Sequence, residues 1–488
     1  MRTYWLTRFL FLRLLGFVFL AAFISLIAQL GPLIGQDGLL PAYKFLQQVR
    51  SIYETPASQW LHLPTLFWFN CSDGFLYATA YVGLALSVLL SIGLANSISM
   101  ATLWVIYLSF VHVGQIFYGY GWEIMLLEAC FLGIFLIPSP PSKTILWFYR
   151  WMVFRVMFGA GLIKLRGDPC WRDLTCLLYH FETQPIPNPI SWYLHQLPPI
   201  ILKLGVLWNH FSELMVPFFM FGPRRLRILG GWLLIGFQVF LIASGNLSFL
   251  NWLTIAICIP MLDDQALQAL VPKRWAQKAA QCAQQTQKVG LPRRIMIGSL
   301  AVLLIVLSIQ PIQNMASSHQ IMNTSFDPFH LMNTYGAFGS VGRIRHEIIL
   351  EGTRETSLRP DTQWKEYEFW AKPGNVKRRP PFIAPFQLRI DWQIWFAAMS
   401  QIEREPWLVH LIHKLLQNDP GALHLLANNP FPDRPPTYIR AELYEYHFTR
   451  IGGPSRAWWE RRDVGPYLRP IRLDDPQIKH YLQAYNLE

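Results

Sequence analysis

Several side chains that could exchange protons crowd into one short stretch of this sequence. They are Lys164, Asp168, Asp173, His180 and Glu182. Ammonium, carboxyl and imidazole groups at this density could supply a general base and a general acid. The chain shows no glycine-rich phosphate loop, G-x-S-x-G elbow or H-E-x-x-H pair at a fitting place. We therefore expect no cofactor and no metal site.

These side chains lie in a loop that leaves a very apolar segment. Residues 166–199 are dense in charge, Cys, His, Pro and Trp, unlike a membrane helix or a flexible linker. Pro169 pushes Asp168 out of helical geometry and ends the preceding helix. Cys170 and Cys176 could close a disulfide if the loop faces an oxidising compartment. Long loops of this kind carry function on a rigid scaffold.

The overall composition is that of a membrane protein. The 488 residues are 52% hydrophobic and 15% charged, with 20 Trp. Soluble proteins have about 25% charged residues. The formal net charge of +12 sits largely at helix ends and in short connections, which indicates orientation in a membrane rather than binding to nucleic acid. The six Cys have irregular spacing and no zinc pattern.

Apolar segments predict a polytopic α-helical bundle of about nine spans, each of about 20 residues. The segments are 9–30, 74–95, 99–118, 122–138, 145–165, 200–221, 228–244, 247–262 and 295–312. Basic residues should remain on the cytoplasmic side, so Arg2, Arg8 and Arg13 place the N-terminus in the cytoplasm. Nine crossings then place on that same side Lys143, Arg150, the 224–227 cluster and the 273–294 stretch. The loop at 166–199 and the C-terminal portion fall on the opposite, outward face.

Two units follow from this pattern. Residues 1–318 are predicted to form the multi-span transmembrane domain, with the outward loop at 166–199 and an amphipathic cytoplasmic connector at 263–294. Residues 319–488 are predicted to form a β-rich extracytoplasmic domain. Alternating runs predict strands at 346–350, 364–370, 385–391 and 438–449, with a turn at Gly352 and helix over 392–427.

Charged residues within the apolar segments have structural interpretations as well as functional ones. Glu128 and Arg155 could pair and lock two helices, and Lys164 could extend its ammonium to the membrane surface. His210 and Glu213 share one helical face, but two ligands do not make a metal site.

Several stretches together resemble one known family. They are GLIKLRGDPCWRDLTC at 161–176, YHFETQP at 179–185, PNP at 187–189, GWEIMLLE at 121–128, YGAFG at 335–339, EIILEGT at 347–353, YEF at 367–369, RRPP at 378–381 and RIDWQIWF at 389–396. This order of unusual residues closely resembles the lipase maturation factors. The resemblance implies a chaperone-like, non-catalytic membrane protein that helps secreted lipases to fold and assemble into active dimers.

The resemblance also implies a set of functional residues and partners. Residues that match the family motifs, and are therefore candidates for client binding, are Lys164, Arg166, Asp168, Trp171, Asp173, His180, Glu182, Pro185, Asn188, Gly336, Glu347, Gly352, Asp391 and Trp392. Cys170 and Cys176 are the candidate disulfide. The expected partners are secreted lipase-like client proteins and membrane lipids. The expected location is the endoplasmic reticulum membrane in a eukaryote and the inner membrane in a bacterium.

An alternative function is also consistent with the layout. A polytopic membrane enzyme, with a bundle like that of the vitamin K-dependent carboxylase, could modify a lipid or a protein. Such an enzyme would need a base in an outward cavity, and Lys164 and His180 would be the candidates.

Overall fold

The computed structural model describes residues 3–138, 140–284 and 289–487, and its first part is a bundle of helices. The helices before the loop are α1 (Trp5–Ile34), α2 (Ala42–Ile52), α3 (Pro56–His62), α4 (Asp73–Ile92), α5 (Ser97–Val113), α6 (Gly121–Leu136) and α7 (Lys143–Arg166). Small residues let α1 and α4 approach closely. A Cβ atom on Gly83 would lie 2.3 Å from the Phe23 ring, and one on Gly16 would lie 2.6 Å from the backbone nitrogen of Ser91.

Short helices form the loop, and longer ones complete the bundle. The loop helices are α8 (Pro169–Arg172), α9 (Leu177–Thr183) and α10 (Pro189–His195). The remaining bundle helices are α11 (Pro199–His210), α12 (Arg224–Ser244), α13 (Leu250–Cys258), α14 (Asp264–Leu267), α15 (Lys273–Gln284), α16 (Leu291–Leu307) and α17 (Ile309–Ala316). Residues 285–288 of the predicted connector lie outside the described residues, as does Arg2.

Five helices in the described ranges are long and apolar enough to cross a membrane. They are Trp5–Ile34, Asp73–Ile92, Lys143–Arg166, Arg224–Ser244 and Leu291–Ala316. The prediction of nine spans is not confirmed. Two predicted spans fall on shorter apolar helices, Ser97–Val113 and Leu250–Met261.

The remaining two predicted spans differ from a simple membrane helix. α6 has 16 residues and is almost wholly buried by its neighbours, so its length of about 24 Å is below the apolar thickness of about 30 Å. The segment 200–221 divides into α11, a π-helical turn at Phe211–Met215 and a 3₁₀ turn at Val216–Phe221. Pro217 cannot donate a helical hydrogen bond, which breaks the regular α-helix there.

One end of the bundle gathers the arginines that the sequence assigns to the cytoplasmic side. Arg8 donates to the Ile137 carbonyl at 2.7 Å, and Arg150 donates to the Pro260 carbonyl at 3.1 Å. We call this the basic end. The opposite end carries the loop and the C-terminal region.

The C-terminal region contains two small antiparallel sheets among helices. The strands are β1 (Thr324–Ser325), β2 (Asn333–Thr334), β3 (Arg345–Thr353), β4 (Lys365–Glu366), β5 (Tyr438–Phe448) and β6 (Trp459–Ile471). The helices are α18 (Arg389–Ala397), α19 (Pro406–Leu416), α20 (Pro420–His424) and α21 (Pro476–Ala484). β1 pairs with β2, and the larger sheet has the order β4-β3-β5-β6. Ile348 of β3 lies opposite Leu443 of β5.

The structure confirms the predicted strands at 346–350 and 438–449 and corrects three details. The strand predicted at 364–370 is reduced to the two residues of β4. No strand forms at 385–391, because the Gln387 and Arg389 backbone N–H groups donate to Ser25 and Gln29 of α1 and not to a sheet. Gly352 lies within β3 and not in a turn, because it pairs with Ile439 of β5. A Cβ atom there would be 2.6 Å from the Phe431 ring.

Buried ion pairs join the C-terminal region to the bundle. Arg389 of α18 donates to Glu123 of α6 at 2.9 Å, and both side chains are fully buried. Arg155 of α7 forms the predicted pair with Glu128 and also donates to the Asn333 carbonyl at 2.6 Å. Separating the C-terminal region from the bundle would leave buried charges without their partners, which is strongly destabilising. These contacts therefore fix the C-terminal region on the bundle.

Candidate functional site

The loop begins with a tight junction between α7 and the segment 339–343. A Cβ atom on Gly167 would lie 2.3 Å from the Gly339 carbonyl oxygen, so only glycine allows this approach. The Asp168 carboxylate accepts the Cys170 N–H at 2.9 Å and so caps α8. It also accepts from the Arg343 guanidinium at 2.7 Å, and this hydrogen bond holds the pKa of Asp168 at about 2.

A disulfide and an indole form the centre of the loop. Cys170 and Cys176 are joined by a disulfide and are both buried. Trp171 is also buried, and its indole N–H donates to the Phe338 carbonyl at 2.8 Å. The hydrogen bond from Trp171 to Phe338 therefore attaches the loop to the C-terminal region.

Lys164 does not extend to the membrane surface but forms a buried ion pair. Its Nζ donates to both carboxylate oxygens of Glu213, at 2.5 and 2.7 Å. Glu213 belongs to the π-helical turn and also accepts from Asn209 at 3.0 Å. His210 instead bonds the Trp171 carbonyl at 2.9 Å. The shared face predicted for His210 and Glu213 therefore serves to seat the loop.

His180 is a neutral group beside this pair. Its ring packs edge-on against Phe338, with centroids 4.9 Å apart. Burial, with a smaller contribution from the Lys164 ammonium, lowers the pKa of His180 to about 4. The imidazole is therefore uncharged at neutral pH.

Glu182 connects the loop to the large sheet. Its carboxylate accepts from His447 at 2.8 Å and from the Phe448 N–H at 3.1 Å, both on β5. His195 of α10 lies 3.2 Å from the other oxygen. One buried carboxylate thus holds two elements of the loop and the end of β5 together.

Arg345 connects β3 to the loop through several contacts, and the sequence motifs did not select it. Its guanidinium donates to the carbonyls of Glu182, Gln184 and Pro185, at 2.9, 2.5 and 2.9 Å. It also pairs with Glu347 at 2.5 Å. The sequence did contain a signal for Arg345. It lies two residues before Glu347 on a predicted strand, and residues two apart on a strand face the same side.

Glu347 in turn holds a second buried cation. Lys372 donates to Glu347 at 2.9 Å. Burial lowers the pKa of this lysine, and Glu347 is the largest opposing influence. The pair extends the polar interior from the loop to the segment that precedes α18.

Asn188 fixes the far end of the loop to the bundle. Its side chain accepts the Ser191 N–H at 3.0 Å and caps α10. Its amide also donates to the Ala243 carbonyl at 2.9 Å, near the end of α12. The second half of the loop therefore rests on α12.

Asp391 and Trp392 lie at a separate contact, where α18 meets the bundle. Asp391 accepts the backbone N–H groups of Ala371 and Lys372 at 2.6 and 2.9 Å. Burial raises the pKa of Asp391 to about 6. The Trp392 ring packs against Trp122 at 5.1 Å between centroids.

The remaining motif residues have local roles. Gly336 approaches Met322 so closely that a Cβ atom would lie 2.7 Å from the methionine Cβ. Arg166 is exposed and donates to Gln320 at 2.8 Å.

Most family-motif residues are thus buried in contacts within the chain rather than in an open cleft. We call the contacts that the loop makes with the bundle, with the segment 338–343 and with β3 and β5 the internal joint. Those that are buried are Lys164, Trp171, Glu182, Pro185, Asn188, Gly336, Glu347, Gly352, Asp391 and Trp392. Asp168 and His180 are half-buried, and Arg166 and Asp173 are exposed. Among the described residues, no group of three or more His, Cys, Asp or Glu side chains could hold a metal ion.

An exposed surface lies where α10 meets the β5–β6 hairpin. Gln196 donates to the Thr449 carbonyl at 3.1 Å, and the Trp192 ring packs on Trp458 at 5.2 Å between centroids. Tyr193 on α10 is 55% exposed and Ile451 at the hairpin turn is 56% exposed. We call Ile190, Tyr193, Ile451 and their neighbours the α10–hairpin surface.

The apolar helices and the attached small sheets define an integral membrane protein with a docked C-terminal region. Comparison with family models gives the particular family. The lipase maturation factor transmembrane domain matches residues 6–269, and the lipase maturation factor C-terminal domain matches residues 331–469. The chain belongs to the lipase maturation factor family.

Individual relatives agree with this assignment. The chain is 46% identical to lipase maturation factor 1 of Mus musculus, over 99% of this chain and 89% of the relative. It is 44% identical to lipase maturation factor 1 of Homo sapiens, over 97% and 89% respectively. Lipase maturation factor 2 of Xenopus laevis is 32% identical, over 99% and 85%. No solved structure matches the chain.

Proposed function

We propose that this protein is a maturation factor that binds incompletely folded secreted lipases, or similar clients, and acts without catalysis. The observation that carries the proposal is the near full-length similarity to lipase maturation factor 1. The internal joint supports a non-catalytic role, because the Lys164 ammonium is bonded to both oxygens of Glu213. The low pKa of His180, about 4, makes its imidazole a weak base.

The proposed mechanism uses the joint as a support for an outward surface. The joint holds the loop rigidly against β5, and the α10–hairpin surface then presents its apolar side chains beside exposed arginines. The Arg462 side chain on β6 is 77% exposed. Aromatic residues and arginine are enriched in protein contacts, so this surface suits a client with exposed apolar segments. Asp173 and Arg166 are the exposed motif residues that could contact the client from the loop.

We further propose that residues 1–318 form the membrane domain and residues 319–488 the outward domain. The N-terminus and the basic end lie in the cytoplasm, because basic residues favour that side. The C-terminal domain then lies in the lumen of the endoplasmic reticulum, or in the periplasm of a bacterium. Reporter tags at each end, tested for protease protection in sealed vesicles, check this orientation.

A lipase secretion assay tests the proposed function. The chain is expressed with a secreted lipase in cells that lack their own maturation factor, and lipase activity is divided by lipase antigen. Tyr193→Asp with Ile190→Asp should lower this ratio without lowering the abundance of the protein, because both side chains are exposed. Leu270→Asp is the matched control, since Leu270 is 64% exposed near the basic end.

Mild crosslinking followed by mass spectrometry of the tagged protein provides a second test. The unsubstituted chain should retain immature lipase, and the Tyr193/Ile190 variant should retain less. An unchanged ratio of activity to antigen in cells with and without the chain would overturn the proposed function.

A further inference from the structure

The imidazole of His447, near the end of β5, lies between two carboxylates. Its Nδ1 is 2.8 Å from an oxygen of Glu182 in the loop, and its Nε2 is 2.7 Å from an oxygen of Glu445 on the same strand. Two residues further along the chain, the Thr449 carbonyl accepts from Gln196 of α10 at 3.1 Å. The imidazole therefore lies beside the contact that forms the α10–hairpin surface.

The protonation state of His447 decides whether both of its contacts can be hydrogen bonds. An ionised carboxylate can only accept, and a neutral imidazole donates from one nitrogen and carries a lone pair on the other. A neutral ring would place that lone pair 2.7 or 2.8 Å from a carboxylate oxygen, and this contact would be repulsive. The imidazolium donates from both nitrogens and so satisfies Glu182 and Glu445 together.

The other ionisable groups that face His447, among the described residues, come from the loop and from three strands. They are Glu182 and His195 of the loop, Glu445 of β5, Glu460 and Arg462 of β6, and His346 of β3. Glu460 lies opposite His447 in the strand register, and His346 lies opposite Glu445. Arg462 pairs with Glu445. The carboxylates outnumber the guanidinium, and this excess of negative charge favours the imidazolium.

The charges around His447 shift its titration toward higher pH. Burial by itself lowers the pKa of His447, but the hydrogen bond to Glu445 and the charge of Glu182 outweigh burial, so the pKa is raised. Histidine in an unfolded chain has a pKa of about 6.5. The stabilisation by the two contacts is therefore complete below about pH 6.5, and it is lost as the pH rises through the folded-state pKa.

We propose that His447 is a proton-dependent clamp that regulates the α10–hairpin surface. The imidazolium fixes the loop to β5, and deprotonation opens one of its two contacts. Arg345 and the Phe448 N–H still bond Glu182, so the change loosens α9 and α10 without detaching the loop. That this surface holds a client rests on the proposed function, whereas the clamp is a property of the chain alone.

Hydrogen exchange measured by mass spectrometry, on the full chain in lipid nanodiscs without a client, tests the clamp. The unsubstituted chain and His447→Gln are compared at about pH 6 and about pH 8.5, on either side of the usual histidine pKa. The His447 side chain is 49% exposed, so the substitution leaves the core intact. At the lower pH, peptides from 177–197 and 444–449 should exchange about two- to fivefold more slowly in the unsubstituted chain, the effect of one partly exposed ion pair. At the higher pH the two proteins should exchange alike.

Glu445→Gln tests the dependence on the proton itself. The glutamine amide can donate to Nε2 of a neutral imidazole, so the Nδ1–H group keeps its bond to Glu182 at both pH values. The glutamine carbonyl can still accept from Arg462. Slow exchange of the loop peptides, corrected for the intrinsic rates, should therefore persist at the higher pH. His480→Gln is the matched control, because His480 is exposed on α21, and it should leave these peptides unchanged.

Two results would overturn the clamp. One is a difference between the unsubstituted chain and His447→Gln that is equal at both pH values, which would indicate a purely structural contact. The other is loop exchange in Glu445→Gln that depends on pH as strongly as in the unsubstituted chain. Since no client is present, neither result bears on the maturation activity, which the lipase secretion assay tests separately.

Discussion

Replacing Trp171 with alanine should destabilise the protein, whereas replacing Asp173 should affect client maturation alone. The Trp171 side chain is 2% exposed, and its ring centroid lies 5.2 Å from the Lys164 ammonium. Its indole N–H is bonded to the Phe338 carbonyl. Asp173 is exposed on the same loop. The two substitutions therefore separate support of the loop from contact with a client.

The expected loss of stability in Trp171→Ala follows from the burial of its side chain. Truncation of a buried tryptophan to alanine costs about 3–5 kcal/mol, and loss of the indole hydrogen bond adds about 1 kcal/mol. The total stability of a domain is about 5–15 kcal/mol, so such a loss lowers abundance several-fold. An exposed substitution such as Asp173→Ala changes stability by about 0.5 kcal/mol or less.

Three measurements on each variant check this expectation. They are abundance by quantitative immunoblot, thermal unfolding of the purified protein in detergent, and secreted lipase activity per unit of lipase antigen. Trp171→Phe is the control, because it keeps most of the buried ring and should restore most of the abundance. A Trp171→Ala variant with normal abundance and unfolding temperature, but no client maturation, would refute the structural role of this indole.

Further expectations concern the connections between bundle and C-terminal region, and thermal unfolding measures each of them. Arg389→Leu alone should cost about 3–5 kcal/mol by leaving a buried carboxylate unpaired. Adding Glu123→Leu should recover part of that loss, and strictly additive costs would argue against the ion pair. Asp168→Asn should lower the free energy of unfolding by a constant amount from pH 8 to pH 5. The reason is that the carboxylate has a pKa of about 2 when folded and about 3.9 when unfolded. This loss should shrink as the pH falls from 4 toward 2. Gly352→Val should destabilise by about 1–3 kcal/mol through overpacking, whereas Gly236→Ala, with open space around it, should be tolerated.

Local patterns in the sequence were sufficient to predict elements that do not require one particular partner residue. Apolar runs predicted the long membrane helices, because any apolar neighbour or lipid satisfies such a helix. The strands at 346–350 and 438–449 followed from their alternating sequence, although both faces of β3 are buried in the structure. The pair Glu128–Arg155 followed from the cost of a lone charge in an apolar helix.

The family motif located the loop but not the positions of its side chains. From the sequence, Trp171, Glu182 and Asp391 were candidates for client contact, yet each is buried in a contact within the chain. Arg345 was not selected, although it bonds three carbonyls of the loop. A motif shows which residues belong to a site. Burial in the folded chain shows whether each residue supports the structure or is free to contact a client.

What the sequence determined by itself was the class of protein, the long apolar helices, the position of the 166–199 loop in the chain and the family. Tertiary structure alone decided the conformation of residues 385–391, where side chains of α1 take the hydrogen bonds that a strand would need. It also decided that Lys164 pairs with Glu213 and that Arg389 pairs with Glu123. The physical reason is distance along the chain. Periodicity reports the generic environment of a residue, whereas a buried polar group is satisfied by one particular partner that only the folded chain brings near.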